Sequence, residues 1–148
     1  MHHSEIPNEI KEILYKGVVI PALPLALDKN RQLDPRRQRA LIRYYLDAGA
    51  GGLAVAVHTT QFGIRLPEVN LYGQILEMAC EEFDRYTALS QRPVIRIAGV
   101  IGKTEQAVGE AKLALKNGFH AVLLSLAALK DASNEKLIEH CRAVAEVI

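Results

Sequence analysis

A chain of 148 residues, 49% of them hydrophobic, has the length and apolar content for one domain with its own core, and this excludes a disordered segment. Eighteen basic against seventeen acidic residues leave a formal charge of +1 with no basic run, so neither a nucleic-acid groove nor an anionic membrane face is written into the charge pattern. No apolar window reaches the roughly 18 to 20 residues of a membrane span, and the N-terminus lacks the apolar stretch of a signal peptide, so the expectation is a cytoplasmic domain with a small-molecule partner, no nucleic acid and no membrane.

A short helix is expected over residues 6–16, stopped by Gly17; His2 and His3 ahead of it carry no role. Val18 to Ala22 then reads as the first of four short strands that are apolar on both faces, as strands of a covered parallel sheet must be. The segment that follows its start, PALPLALDKNRQLD, is long, bears prolines and contains no glycine. Asp34 suits the N-cap and Pro35 the first helical position of the next helix, whose apolar stripe is Leu41, Tyr44, Tyr45 and Ala48 and whose stop is Gly49.

Leu53 to Val57 is the second strand. It runs into AVHTTQF, residues 56–62, where a histidine, two threonines and a glutamine collect at once. A helix is expected over residues 67–87, with Leu71, Ile75, Leu76, Ala79 and Phe83 at helical spacing. Val94 to Ala98 is the third strand, interrupted by Arg96, a charge that must find a partner there, either an anionic ligand inside a barrel or a structural ion pair. The next helix opens at Thr104, read as its cap, and ends at Asn117-Gly118. Ala121 to Ser125 is the fourth strand, and a helix from near Ser133, with Leu137, Ile138, Cys141 and Ala145 on one face, completes the chain. Cys80 and Cys141 sit in helical patterns without metal-site spacing, which reads as two reduced, half-buried thiols rather than a disulfide. No metal and no cofactor is implied.

Alternating strands and helices argue an α/β fold with right-handed crossovers, shared by two architectures. A dinucleotide-binding fold needs a tight glycine-rich turn after its first strand, and the glycine-free loop after Val18 to Ala22 disfavours it. Gly102-Lys103-Thr104 imitates the tail of a phosphate loop, but position 97, where the earlier glycine belongs, is Ile97. The long first loop suits a (βα) barrel, of whose eight units this sequence supplies about four in a single domain over residues 1–148. Half a barrel leaves two parallel edges and an apolar interior unpaired. The expectation is that the chain either pairs with a second copy, as a homo-oligomer, or is the N-terminal portion of a longer protein, and an end at Val147-Ile148 favours the second.

Barrel active sites lie at the C-terminal ends of the strands, so residues 58–61 belong to the pocket rim. Hydroxyls and backbone amides there hold a carboxylate without a trapping positive charge, and adjacent threonines in an extended rim serve different parts of a ligand. Threonines equally finish strands and cap the next turn. His58 is a ligand contact or acid–base group near neutrality, or else a histidine hydrogen-bonded at the strand end. Lys103 and Lys130 read as solvated loop lysines, because a nucleophilic lysine needs burial or cationic neighbours.

The order of these segments, namely DAGAGGLAVAVHTTQF, PVIRIAGVIGKTEQAVGEAKLALKNGFHAVLLSLAAL and SNEKLIEHCRAVAEVI, resembles the N-terminal half of the dihydrodipicolinate synthase and N-acetylneuraminate lyase family over Lys16 to Ile148. Members carry GTTGE after strand two, an AG segment ending strand three and a GL..H.. pattern in unit four; here stand His58-Thr59-Thr60-Gln61-Phe62, Ala98-Gly99 and Leu137-Ile138-Glu139-His140. The resemblance implies a TIM (β/α)8-barrel class I aldolase or lyase, in which a lysine forms a Schiff base with pyruvate or another 2-keto acid. It implies Thr59 and Thr60 as the pair that binds the keto-acid carboxylate, with Thr60 also in a proton relay and His58 beside them. Departures accompany the match. His58 replaces the first glycine and Gln61-Phe62 replaces Gly-Glu, making a bulkier rim. Ala127-Ala128-Leu129 stands where the family has Pro-Tyr-Tyr, and leucine moves no proton. The family's Schiff-base lysine lies on strand six, so the 148 residues alone are expected to be inactive.

Overall fold

The computed structural model describes residues 6–148, which leaves His2 and His3 outside the described residues. Helix α1 runs Asn8–Lys16 and stops at Gly17, whose φ of 84° lets its N–H reach back to the carbonyls of Ile13 and Leu14. Helix α2, Pro35–Asp47, begins as its sequence dictates: the Asp34 side chain accepts from the Arg37 N–H at 2.9 Å, and Pro35 occupies the first turn. Strand β1, Gly52–Val55, is followed by two 3-10 turns, His58–Thr60 and Phe62–Arg65. Helix α3, Tyr72–Ser90, starts five residues later than the apolar spacing suggests, because Leu66 to Asn70 fold into turns and Asn70 takes a positive φ of 46°. Strand β2 spans Ile95–Val100, helix α4 Thr104–Lys116, strand β3 Ala121–Leu124 and helix α5 Asn134–Ala145, the last capped by Ser133.

The sheet is parallel throughout, in the order β1-β2-β3. The expected strand over Val18 to Ala22 is reduced to one bridge, Ala22 to Ala54. Its segment still lies along β1: Val19 accepts from the Gly51 N–H at 3.0 Å, Pro21 accepts from the Ala54 N–H at 2.9 Å, and Leu23 donates to the Ala54 carbonyl at 2.9 Å. Pro21 has no N–H to return to the ladder, so the pairing cannot become regular.

Register sorts the side chains onto two faces. Leu53, Val55, Ala98, Val100, Val122 and Leu124 alternate onto the face that packs beneath the helices, in two apolar clusters with Phe83, Phe119, Ala107, Ala111 and Val144. Gly52, Ala54, Ile97, Gly99, Ala121 and Leu123 alternate onto the opposite, inner face. Burial falls across the sheet: β1 is buried at all four positions, whereas β3 has none buried and Leu123 is 53% exposed.

Polar residues that the sequence singled out find structural partners. Arg96 donates to Asp84 at 2.6 Å with its guanidinium over Phe83, which makes it an ion pair on the helix-covered side. Thr104 does not cap α4; its hydroxyl meets His140 Nδ1 at 3.0 Å, joining α4 to α5, and Lys103 holds the cap position without a side-chain bond. His120 Nδ1 accepts from the Arg96 N–H at 3.2 Å. The two thiols are free as expected, but not alike: Cys80 is buried and donates to the Asn117 carbonyl, and Cys141 is exposed. Among the described residues no helix is long and apolar enough to cross a membrane.

Candidate active-site rim

The chain turns sharply where β1 ends. Ala56, fully buried, adopts φ 59°, a left-handed conformation that costs an alanine about 1 kcal/mol and persists only where its surroundings hold it. The neighbouring strand has made room for it. A Cβ added at Gly99 would lie 2.7 Å from the Ala56 carbonyl carbon and 2.8 Å from the Val57 nitrogen, both backbone atoms that cannot swing aside. A glycine at position 99 therefore lets the β1 turn cross close over β2.

That turn presents the three predicted residues differently. His58 lines a cleft of about 170 Å³ on the inner face, together with Phe62, Gly99, Leu123 and Ser125, and its ring stands edge-on to Phe62 at 5.4 Å. Thr59, next in the same 3-10 turn, is exposed. Thr60 turns inward: it is fully buried, and its Oγ1 donates to the Leu23 carbonyl at 2.5 Å, tying the rim to the end of the Val18 to Ala22 segment. The N–H groups of Thr60 and Gln61 close the turn onto Val57 and His58, while those of His58 and Thr59 donate to nothing among the described residues. The hydroxyl pair is thus divided, one free at the surface and one engaged in the fold.

Behind the rim lies a polar network that local sequence patterns do not announce. Arg65, 6% exposed, directs Nε at both oxygens of Glu110 at 3.0 and 2.9 Å, and Nη2 at the carbonyls of Gly99 and Ala56 at 2.8 and 3.0 Å. Glu110 also accepts from the Ile101 N–H at 3.1 Å and from Gln106 at 2.8 Å. The Tyr72 hydroxyl donates to the Gly99 carbonyl at 3.0 Å beneath the Arg65 guanidinium, 4.3 Å from the ring. Burial, then the Glu110 charge, lifts the Tyr72 hydroxyl above the usual tyrosine range, so it stays protonated as a donor. One signal was present in the sequence: Glu110 interrupts the small, buried stripe Ala107, Ala111, Ala114, and a carboxylate there demands a cation. Nothing local named Arg65 as that cation, because 45 residues separate them.

This network fronts a cavity of about 710 Å³ whose walls include Phe62, Arg65, Asn70, Gln106 and Glu110. Phe62 borders both this cavity and the inner cleft. Lys103 and Lys130 are solvent-exposed, and Leu129 sits half-buried in the 3-10 turn Ala127–Leu129 after β3. Among the described residues no group of three or more His, Cys, Asp or Glu side chains is arranged to hold a metal ion.

Parallel strands wound with helices, a rim of turns at the strand C-termini and an open inner face define a partial (β/α) barrel. Comparison with known proteins agrees. The chain is 30% identical over 137 residues to "Probable 5-dehydro-4-deoxyglucarate dehydratase" of Acinetobacter baumannii, covering 92% of this chain and 42% of that protein. It is 32% identical over 108 residues to "N-acetylneuraminate lyase 2" of Escherichia coli O6:H1, covering 73% of this chain and 32% of the other. Among solved structures it is similar to YagE, a prophage protein of the dihydrodipicolinic acid synthase family from E. coli K12 solved in complex with pyruvate, with TM-score 0.72 and 22% identity over 88% of this chain and 41% of that one. Dihydrodipicolinate synthase of Oceanobacillus iheyensis matches with TM-score 0.74 and 15% identity over the same shares. No protein-family model matches. The chain is thus similar along most of its length to members of the dihydrodipicolinate synthase / N-acetylneuraminate lyase family, and it spans less than half the length of the relatives it matches.

Proposed function

We propose that this chain forms the carboxylate-binding rim of a Schiff-base aldolase or lyase acting on pyruvate or a related 2-keto acid, and that the 148 residues alone turn nothing over. The observation that carries this reading is the His58-Thr59-Thr60 turn at the C-terminal end of β1, with His58 in the inner-face cleft and the Thr59 hydroxyl free beside it. Relatives named as a dehydratase and a lyase, and a fold neighbour solved with pyruvate, support it.

In this reading the free N–H groups of His58 and Thr59 and the Thr59 hydroxyl face the carboxylate, which neutral donors hold reversibly. Thr60 fixes the turn through Leu23; the relay role that the resemblance gives it requires its hydroxyl to leave that carbonyl for the substrate side. The Schiff base itself needs an amine that is neutral and enclosed, and the exposed Lys103 and Lys130 lack such surroundings. Borohydride reduction in the presence of pyruvate, read by intact mass, is expected to leave the chain's mass unchanged; a trapped adduct on Lys103 or Lys130 would overturn the claim that the chain alone is inactive.

A second reading, a non-catalytic binding module, is favoured by Leu129 at the position where the family resemblance places a tyrosine. The two part company in a longer form of the protein carrying a sixth strand: a pyruvate adduct there supports the enzyme, and its absence supports the module.

A further inference from the structure

Among the described residues that line the inner-face cleft, His58 alone carries an ionisable side chain; β2 contributes Gly99 and Ile101 to its walls, and β3 contributes Leu123, Leu124 and Ser125. The other two described histidines spend a ring nitrogen inside the fold, His120 on the Arg96 N–H and His140 on the Thr104 hydroxyl. His58 is exposed, and neither of its ring nitrogens has a hydrogen-bond partner among the described residues. The turn itself aims it there. Ala56 at φ 59° crosses over Gly99, and the Thr60 hydroxyl is tied to the Leu23 carbonyl, so the direction of the imidazole follows from buried contacts of the turn and not from whatever stands opposite the inner face.

Other groups able to move a proton are engaged or lie elsewhere. The Tyr72 hydroxyl donates to the Gly99 carbonyl and the Tyr86 hydroxyl to the Leu46 carbonyl, while Tyr15 belongs to α1 and Tyr44 and Tyr45 to α2. Glu110 is held by Arg65, Gln106 and the Ile101 N–H. Chemistry next to the carbonyl of a 2-keto acid needs a group that takes a proton and returns it. Histidine changes its charge between about pH 5 and 8, so it attracts an anion when protonated and lets it go when the proton leaves, which a fixed cation cannot do.

We propose that His58 is the proton-carrying ligand of this rim: with the keto-acid carboxylate on the free N–H groups of His58 and Thr59, the adjoining imidazole takes up a proton from solvent and holds it while the anion is bound. The proposal rests on the carboxylate-binding reading of the turn given above. Imidazole becomes imidazolium in this step, and no bond of the keto acid breaks. Because the ring is attached to the residue whose N–H meets the anion, proton and anion raise each other's affinity by the same factor. An opposite charge within about 4 to 6 Å favours the charged form by about one pKa unit or more, which corresponds to about tenfold in affinity. The elements packed around the ring set no competing charge against this. From its own segment Phe62 faces it edge-on at 5.4 Å, with the Arg65 guanidinium 5.8 Å from the Phe62 ring centre and paired with Glu110; the β2 and β3 residues of the cleft are uncharged.

A pyruvate titration of the 148-residue chain, followed by amide and imidazole NMR at several pH values from about 8 to about 5.5, tests this. Pyruvate is expected to bind roughly five- to tenfold more tightly at the low end of that range, and the His58 imidazole to titrate at higher pH with pyruvate than without it. His58→Gln, at an exposed position, is expected to keep the wild-type circular dichroism spectrum and to bind pyruvate at every pH with the weaker affinity. Two results would overturn the proposal and leave the carboxylate reading standing: turn amides that shift with an affinity independent of pH, or a pH dependence that persists unchanged in His58→Gln. Pyruvate that moves no amide of the His58–Thr60 turn at any pH would overturn both.

Discussion

Arg65 and Glu110, 45 residues apart, form the one ion pair among the described residues in which both side chains are more than nine-tenths buried, and through it the β1 rim is fastened to β2 and α4. The same guanidinium satisfies the Ala56 and Gly99 carbonyls, so the pair organises backbone as well as charge.

Removing one partner should cost far more than removing both. Arg65→Met leaves Glu110 buried without its cation and frees two carbonyls, and a loss of about 3 to 5 kcal/mol is expected. In a double-mutant cycle, Arg65→Met with Glu110→Gln should be markedly less destabilised than the sum of the single changes. Urea denaturation of the four proteins measures this, and additivity would show that the pair does not act as a unit.

Gly99→Ala should be costly for a different reason. The new methyl would meet the Ala56 and Val57 backbone rather than a side chain that can move, so a loss of about 3 kcal/mol is expected, with disturbance of the His58 and Phe62 resonances. Gly109→Ala, where a Cβ meets nothing within 4 Å on an exposed face of α4, should instead be neutral or stabilising by up to about 1 kcal/mol.

His120 ties stability to pH. Burial first, and the Arg96 charge second, push its pKa from 6.5 down to about 4, while its Nδ1 must stay unprotonated to accept from the Arg96 N–H. The unfolded chain takes the proton near 6.5, so protonation favours unfolding; the stability from this source is complete above that pH and is lost as pH falls toward 4. The melting temperature should decline over that interval, and His120→Gln should flatten the decline. An imidazole that titrates near its ordinary value in the folded chain would remove the basis of this expectation.

The divided threonine pair predicts divided phenotypes. Thr60→Val removes a buried hydroxyl and leaves the Leu23 carbonyl unpaired, for a loss of about 1 to 3 kcal/mol. Thr59→Val, at an exposed position, should leave the melting temperature within about 1 °C of wild type. Equal destabilisation by both would mean that the turn holds its hydroxyls otherwise.

Much of the fold was legible in the residues because local signals and burial agreed. Asp34, Pro35 and Gly49 bracket α2 as their chemistry dictates, Ser133 caps α5, and three of the four apolar runs became parallel strands. The fourth run failed as a strand at Pro21, a residue that apolar counting reads as neutral and that hydrogen bonding does not. The late start of α3 escaped because Leu66 to Asn70 continue an apolar spacing while the backbone turns through a positive φ at Asn70. In the site, the rim turn could be read from the crowding of polar residues after β1. The orientation of Thr60 could not, since its partner is a main-chain carbonyl 37 residues away. Arg65 was hidden in the same way, its four acceptors being assembled by the fold.

The central claim is that the His58-Thr59-Thr60 turn receives a carboxylate, and a pyruvate titration followed by amide chemical shifts tests it most directly. Shifts centred on His58, Thr59, Gly99 and Ser125, lost in Thr59→Val while the fold persists, are the predicted result. Shifts confined to the Arg65–Glu110 cavity around Asn70 and Gln106, or none at any pyruvate concentration, would contradict it.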